Sequence, residues 1–128
     1  MVIDSSAIIA ILFDEPERAT FLERLADAPT KLLSQVNYVE SCFVILSRIG
    51  AAGLADLTGL LHQADIERVA VDDQQAELAV EAFSRFGKGR HPAGLNIGDC
   101  FAYALAKSRG ETLLFKGNDF GRTDIAIA

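Results

Sequence analysis

Four acidic side chains occupy positions in this sequence where a carboxylate can do chemistry: Asp4, Glu40, Asp99 and Asp119. Asp4 directly follows three apolar residues, two of them β-branched, which is the pattern of a short buried strand. Asp119 comes shortly after a second apolar run, although an ordinary turn aspartate would look the same. In open parallel sheets, ligands bind just beyond the carboxyl ends of the strands. We therefore expect Asp4 to face a cleft rather than bulk solvent.

The other two acids lie on predicted helices. Glu40 falls in the middle of an apolar helical face, where burying an unpaired carboxylate costs several kcal/mol. It therefore either reaches solvent at the edge of the helix or faces Asp4. Asp99 lies in the first turn of a helix that is apolar on nearly every side. The helix dipole alone favours an acid there by about 0.3–1 kcal/mol, so this position also has a purely structural explanation.

The expected position of the four acids at the same edge of the sheet favours a metal site. In a parallel sheet the strand ends that precede Asp4 and Asp119 and the helix start that carries Asp99 lie at one edge. If Glu40 faces the same edge, four carboxylates converge there and would repel one another without a cation. Oxygen ligands without an accompanying cysteine and histidine set select Mg²⁺, with Mn²⁺ as a substitute, over zinc. The sequence therefore predicts metal-assisted hydrolysis of a phosphodiester bond.

Short apolar strands alternate with longer amphipathic helices along the chain. We predict strands at residues 1–3, 31–34, 67–71, 112–115 and 124–128, and helices at residues 7–12, 14–26, 35–49, 54–64, 73–86 and 97–109. This alternation is typical of an α/β fold with a central parallel sheet of about four to five strands, flanked by helices on both faces. At 128 residues we expect one domain, spanning residues 1–128.

Helical spacing also predicts caps and inward-facing side chains. We expect Ser5 or Ser6 to cap the first helix, Ser34 to cap the third, and Asp72 or Asp73 to cap the fifth. The side chains predicted to face inward are Phe21, Leu22 and Leu25 on the second helix, Val36, Val39, Phe43 and Val44 on the third, and Ala76, Ala79, Val80 and Phe83 on the fifth.

Composition excludes several classes of protein. The net charge is −6, which argues against a protein that coats nucleic acid through its bulk charge but permits a local basic patch. The two cysteines, Cys42 and Cys100, have no metal-ligand spacing and fit a reducing compartment. The sequence has neither a recognisable signal peptide nor an apolar run of the roughly 18 residues that a membrane span needs. We expect a cytoplasmic protein that does not contact the membrane.

Several segments together resemble the PIN domain, and more narrowly the VapC-type toxins of bacterial toxin–antitoxin pairs. The segments are Val2-Ile3-Asp4-Ser5-Ser6-Ala7, Glu40, the loop and helix start at residues 87–100, and residues 114–120. The likeness covers essentially the whole chain. It implies a Mg²⁺-dependent endoribonuclease that is inhibited by a cognate VapB antitoxin and is usually a homodimer, with a higher assembly when the antitoxin is bound.

The resemblance also implies roles for individual residues. Asp4 and Asp99 would be the principal metal ligands, and Glu40 and Asp119 would complete the acidic pocket. Ser6 would orient Asp4 or a bound water. The chain departs from the family pattern at two positions: Ser5 stands where related toxins often have threonine, and Asn118 stands where they often have an acid.

An acidic pocket repels phosphate, so an RNA substrate would need cations around it. The segment 85–122 carries seven basic and three acidic residues. The candidates for RNA contacts are Lys88, Arg90, Lys116 and Arg122, although such residues also occur on solvated surfaces. Phe120 either anchors the Asp119 turn in the core or stacks on a base.

Two other classes of function remain open at this point. A receiver-like signalling domain also has a Mg²⁺ site built from acids at strand ends. It needs an acidic pair after its first strand, where this chain has one acid, and a phosphoacceptor after its third, where Asp72 and Asp73 lie. A binding module with an inactive site is the other alternative, and the complete acid set argues against it.

Overall fold

The structure is a computed structural model that describes residues 1–128. The elements in chain order are β1 (Val2–Ile3), α1 (Ser5–Leu12), α2 (Arg18–Asp27), β2 (Leu32–Ser34), α3 (Gln35–Ile49), α4 (Leu54–Gln63), β3 (Glu67–Val69), α5 (Asp73–Phe86), α6 (Ile97–Arg109) and β4 (Leu113–Leu114). None of these helices combines the length and the apolar character required to cross a bilayer.

The four strands form one sheet in the order β3-β2-β1-β4. Every pairing is parallel, with Val2 opposite Leu32 on one side and Leu113 on the other. The carboxyl ends of all four strands therefore lie at the same edge, as the sequence predicted. The predicted strand at residues 124–128 is reduced to a single bridge between Leu113 and Ile127.

The sheet separates two hydrophobic cores. Val2 and Leu113 face one core of 17 buried residues, in which α5 and α6 supply most of the helical side chains. Ile3 and Leu114 face the other core of 14 residues, which includes residues of α1 and α2. Successive residues of a strand point to opposite faces, so even these short strands contribute to both cores. The expected α/β architecture with helices on both faces is confirmed.

Local backbone chemistry sets most of the helix ends where the sequence predicted them. Ser34 accepts a hydrogen bond from the Val36 amide at the start of α3, and Asp72 does the same for Gln75 at the start of α5. Gly50 ends α3 and Gly110 ends α6, both at positive φ. The start of α1 was predicted wrongly, because Asp4 rather than a serine is its cap.

The predicted inward face of α3 is only partly right: Val44 packs against the second core and Val36 is half-buried, but Val39 and Phe43 are exposed. Val39 and Phe43 are 43% and 65% exposed, whereas Asn37, Ser41 and Ile45 are buried. The inward side carries small polar groups that form hydrogen bonds within the fold. The Ser41 hydroxyl donates to the Asn37 carbonyl oxygen at 2.8 Å, and the Asn37 side-chain nitrogen donates to the Gly98 carbonyl oxygen at 3.0 Å.

The predicted inward face of α5 is also only partly right, because Ala79 is buried as expected but Ala76 is exposed. On α2, Phe21 and Leu25 are buried as expected, and Leu22 is 37% exposed. Val80 and Phe83 are 67% and 41% exposed, while Ala79 and Ala82 are buried. The two alanines lie in the core that α5 shares with α6, where their small side chains allow the helices to approach closely.

Candidate active site

Asp4 lies at the carboxyl end of β1 and is 2% exposed. Its carboxylate accepts a hydrogen bond from the Ser6 amide at 2.9 Å, which caps α1, and its other oxygen lies 3.5 Å from the Asn37 side-chain nitrogen. Burial raises the pKa of Asp4 to about 6, although the Ser6 hydrogen bonds oppose this shift. The strand thus delivers a fixed carboxyl group that holds a proton more readily than usual.

Glu40 reaches the same region from α3. Its carboxylate accepts a hydrogen bond from the Ser5 hydroxyl and packs directly against Gly98 at the start of α6. The sequence left open whether this side chain points to solvent or towards Asp4. The structure places it beside Asp4, close enough that its charge raises the pKa of Asp4.

Asp99 lies in the first turn of α6 and forms a capping box with Asn96. Its carboxylate accepts from the Asn96 amide at 3.0 Å, and the Asn96 side chain accepts from the Asp99 amide at 2.9 Å. Burial raises the pKa of Asp99 to about 7. The nearby charges of Asp4, Glu40 and Asp119 act in the same direction, and the Asn96 amide opposes them.

Asp119 stands after β4, at the start of a single 3₁₀ turn over Phe120–Arg122. Phe120 is buried, with its ring centroid 5.0 Å from that of Phe115 in an edge-on arrangement. Phe120 is therefore an anchor for the Asp119 turn and is not a free surface for a base. Asp119 itself is exposed.

All four predicted acids line one open cavity of about 450 Å³. The cavity lies at the carboxyl edge of the sheet, and Ser5 and Ser6 are part of its wall. The donor set is made of carboxylate oxygens without cysteine or histidine, which suits Mg²⁺ and Mn²⁺. No three of the acids are already spaced as ligands of one ion. The residues fit a hard divalent cation in the chemistry of their donor atoms.

Ser6 contributes in two ways. Its amide orients Asp4, as described above, and its hydroxyl oxygen accepts a hydrogen bond from the Lys116 amide at 3.0 Å. The second contact ties the segment that carries Asp119 to the start of α1. The predicted positioning role of Ser6 therefore has a geometric basis.

Sequence reasoning missed Asn37. It is fully buried, and its side-chain nitrogen donates to the Gly98 carbonyl oxygen at 3.0 Å while approaching Asp4. Its side-chain oxygen has no hydrogen-bond partner. The only signal in the sequence is its spacing of three residues before Glu40, which places both on neighbouring parts of one helical surface. Asn37 links α3, α6 and Asp4.

The predicted RNA-contacting cations are spread out. Lys116 lines the cavity, but it forms ion pairs with Glu15 and Glu17. The other three do not line the cavity and are exposed at the surface: Lys88, Arg90 and Arg122. A cation that sequence reasoning missed, Arg48 of α3, lies in the cavity wall.

The phosphoacceptor position of the receiver alternative lies outside this cavity. Asp72 caps α5 through the Gln75 amide, and neither it nor Asp73 lines the acidic cavity. The geometry that a receiver domain requires is therefore not present.

The chain matches a model of the family described as the PIN domain over residues 1–126. It is 52% identical over 126 residues to Ribonuclease VapC of Mycolicibacterium smegmatis, a match that covers 98% of both chains. It is 48% identical over 126 residues to Ribonuclease VapC30 of Mycobacterium tuberculosis, covering 98% of this chain and 96% of the relative.

Solved structures share the fold at lower identity. The crystal structure of VapC20 from Mycobacterium tuberculosis, described as a toxin that cleaves the sarcin–ricin loop, superimposes with a TM-score of 0.79 at 15% identity, covering 99% of this chain and 97% of that one. VapBC2 from Rickettsia felis, bound to a promoter DNA fragment, gives 0.77 at 14% identity, covering 98% and 94%. A toxin–antitoxin complex from Klebsiella pneumoniae gives 0.70 at 16% identity, covering 99% and 95%.

Proposed function

This chain belongs to the PIN-domain family and is a VapC ribonuclease toxin, and we propose that its carboxylate pocket is the site where RNA phosphodiester bonds are hydrolysed. We take residues 1–128 as one PIN domain. The observation that carries the proposal is that Asp4, Glu40, Asp99 and Asp119, which are far apart in the sequence, line one cavity at the carboxyl edge of the sheet. The enzyme would cleave within the RNA chain, as an endoribonuclease.

We propose Mg²⁺ as the cofactor, with Mn²⁺ as a substitute. Asp4 and Asp99 would hold the ion, and Glu40 and Asp119 would complete its anionic surroundings. The pKa values of Asp4 and Asp99 are raised mainly by burial and further by neighbouring carboxylates. They support this assignment, because a bound cation would offset the cost of keeping both groups charged. When bound, the ion would activate water and stabilise negative charge on the phosphate that is attacked.

The contribution of the protein is to hold the acids in place before substrate arrives. Asp4 is fixed by the Ser6 amide, Glu40 by the Ser5 hydroxyl, and Asp99 by the Asn96 amide. Each carboxylate still keeps an oxygen or a lone pair for the pocket. Since three different elements supply these groups, the pocket forms only when the whole sheet edge is assembled.

Replacing Asp4 or Asp99 by asparagine tests the proposal. We expect either variant to lose RNA cleavage in Mg²⁺ by on the order of 10³-fold, because charge stabilisation at the reacting phosphate is removed. Growth inhibition on expression should disappear in parallel. Asp56→Asn, at an exposed position of α4, is the matched control and should cleave normally. Folded Asp4→Asn and Asp99→Asn variants that both cleave at the wild-type rate would refute the catalytic assignment.

The partner proposed with this function is a VapB-type antitoxin, as expected for a toxin of this family whose structural relatives include toxin–antitoxin complexes. We also propose a homodimer in the cytoplasm, with a higher assembly when the antitoxin is bound. Two exposed apolar surfaces support such contacts. One is the outer stripe of α3, formed by Val39, Phe43, Leu46 and Ile49. The other is a groove between α5 and α6, lined by Val80, Phe83, Ile97 and Phe101.

A further inference from the structure

The two cationic side chains in the wall of the carboxylate pocket differ in how they are paired. Lys116 forms ion pairs with Glu15 and Glu17, and the hydrogen bonds to these carboxylates raise its pKa. The arginine ion pairs of the molecule involve Arg18 and Arg85, and none involves Arg48. Arg48 is therefore the one cation at the pocket whose charge is not compensated by a carboxylate of the chain.

Arg48 is also held in position. Its guanidinium carbon lies 4.9 Å from the centroid of the Phe13 ring, a distance at which the face of the ring attracts a cation. The N–H edges of the guanidinium form no ion pair within the chain. Those edges match two oxygens of a phosphate group, which lysine cannot bind in the same paired way.

The position of Arg48 on α3 relates it to the catalytic acids. Glu40, Val44 and Arg48 recur at a spacing of four residues, so they form one row along the helix, and all three line the cavity. With a rise of about 1.5 Å per residue, Arg48 lies roughly 12 Å along the axis from Glu40. The guanidinium is thus in the same cavity as the acids but at its rim.

We propose that Arg48 binds a backbone phosphate of single-stranded RNA next to the phosphate that is hydrolysed, with the Phe13 ring holding its guanidinium in place. This inference rests on the proposed ribonuclease function. A polyanion that approaches four carboxylates needs attraction from the same wall. Lys116 would have to leave two carboxylate partners to provide it, and Lys88, Arg90 and Arg122 lie outside the cavity lining.

Binding of RNA without metal tests the proposal independently of cleavage. The probe is a fluorescein-labelled 12-nucleotide RNA of mixed sequence, followed by anisotropy in EDTA over a series of salt concentrations. We expect Arg48→Ala to weaken binding about tenfold and to reduce the slope of log K against log salt by about 0.7, the value for one phosphate contact on a single strand. Arg48→Lys should bind the RNA with an affinity between those of the wild type and Arg48→Ala, because lysine keeps the charge but cannot make two parallel hydrogen bonds to a phosphate.

Arg109→Ala is the matched control. Arg109 is exposed at the end of α6, about 15 Å along the helix axis from Asp99, and its removal changes the net charge equally. It should bind RNA as the wild type does. Equal binding by Arg48→Ala and Arg109→Ala would overturn the proposal, and so would a wild-type protein that does not bind the RNA.

Steady-state cleavage in Mg²⁺ separates substrate binding from a part in the reaction itself. Because the contact exists before and during the reaction, Arg48→Ala should raise KM about tenfold and leave kcat within about twofold. Phe13→Leu, which keeps the arginine and removes the ring, should raise KM by a smaller factor. A fall in kcat at unchanged KM would overturn the proposal.

The binding experiment in EDTA and the cleavage experiment in Mg²⁺ together distinguish this inference from the proposed function. If Arg48→Ala weakens RNA binding while Asp4→Asn and Asp99→Asn cleave normally, the phosphate contact stands and the catalytic assignment fails. If the aspartate variants lose cleavage while Arg48→Ala binds and cleaves as Arg109→Ala does, the catalytic assignment stands and the Arg48 contact fails.

Discussion

Two groups of acids lie against opposite parts of α6, and the fold treats their charges in opposite ways. At its amino end, Asp99 faces Asp4, Glu40 and Asp119, and the pKa values of Asp99 and Asp4 are raised. Further along the helix, Asp124 accepts a hydrogen bond from the Tyr103 hydroxyl at 2.8 Å and one from Lys107 at 3.0 Å.

The Asp124 site is electrostatically complete. Partial burial would raise the pKa of Asp124, but the hydrogen bonds from Tyr103 and Lys107 hold it below its usual range, with help from the charge of Arg85. Its charge therefore stabilises the fold. The acids of the pocket accept hydrogen bonds from Ser5, Ser6 and Asn96 but form no ion pair with a cationic side chain. Their charges are therefore costly for the isolated chain and available for a cation. This difference separates a structural acid from the acids that we propose to be catalytic.

Of the changes considered below, we expect the largest effect on RNA cleavage from adding one methyl group to the pocket at position 98. A Cβ at position 98 would overlap the Glu40 carboxylate, so Gly98→Ala should displace Glu40 and leave the other acids in place. We expect cleavage to fall by about 10²-fold, the effect of misplacing a catalytic group by roughly 1 Å. Stability should change little, since the displaced group is the end of a flexible side chain.

Gly59→Ala on α4 is the control for this substitution, because a Cβ there would meet nothing within 4 Å. It should retain activity. A Gly98→Ala variant with wild-type cleavage would mean that the position of Glu40 does not matter for the reaction.

The pH dependence of stability sharpens the same contrast. In the metal-free protein, Asp4 and Asp99 titrate near pH 6 and 7, above the ordinary value of 3.8. Between the ordinary pKa of 3.8 and these raised values, the folded state binds more protons than the unfolded state. The free energy of unfolding therefore falls as pH rises. Between pH 5 and 8 we expect a loss on the order of 2 kcal/mol from these two groups, after allowing for screening at the partly exposed Asp99.

Urea unfolding in EDTA at the two pH values measures this loss. Asp99→Asn should lose less stability over the same range, because one of the two groups no longer titrates. Mg²⁺ added at pH 8 should restore stability, since an ion at about 100 times its Kd contributes about 2.7 kcal/mol. An equal pH dependence of wild type and Asp99→Asn would contradict the interpretation.

The smallest effect on stability and cleavage is expected for a substitution of Asp124, the acid that forms ion pairs. Asp124→Asn keeps an acceptor for Tyr103 but loses the ion pairs with Lys107 and Arg85, which lie at 3.0 and 3.6 Å. We expect the free energy of unfolding to fall by about 1 kcal/mol, as for a partly exposed ion-pair network. RNA cleavage should be unchanged. Loss of cleavage in a stably folded Asp124→Asn variant would erase the distinction between the two sites.

The sequence predicted the acids of the pocket better than it predicted their supports. Strand ends and helix starts are local features, and a parallel sheet brings them to one edge, so Asp4, Asp99 and Asp119 could be grouped in advance. Glu40, in the middle of α3, was left open between solvent and Asp4. Asn37 and Arg48 could not, because a buried asparagine and an exposed arginine carry no distinctive local pattern. Their importance comes from the neighbours Gly98 and Phe13.

The rotation of the helices was predicted least well. The apolar face of α3 suggested that Val39 and Phe43 point inward, yet the fold buries Asn37 and Ser41 instead. Periodicity identifies an apolar face but does not say whether this chain or a partner covers it. A prediction from the isolated sequence therefore places the exposed apolar stripe of α3 in the core.

The sequence by itself determined the α/β class, the parallel pairing of the strands, most helix ends and the four acids that line the cavity. These depend on local backbone preferences, as at Gly50 and Gly110, and on the general rule that parallel strands end at one edge. Only the tertiary structure decided which side of each helix is buried, that Asp4 caps α1, and that Lys116 is paired while Arg48 is not. Those outcomes depend on contacts between residues far apart in the chain, and no local pattern encodes which distant surfaces will meet.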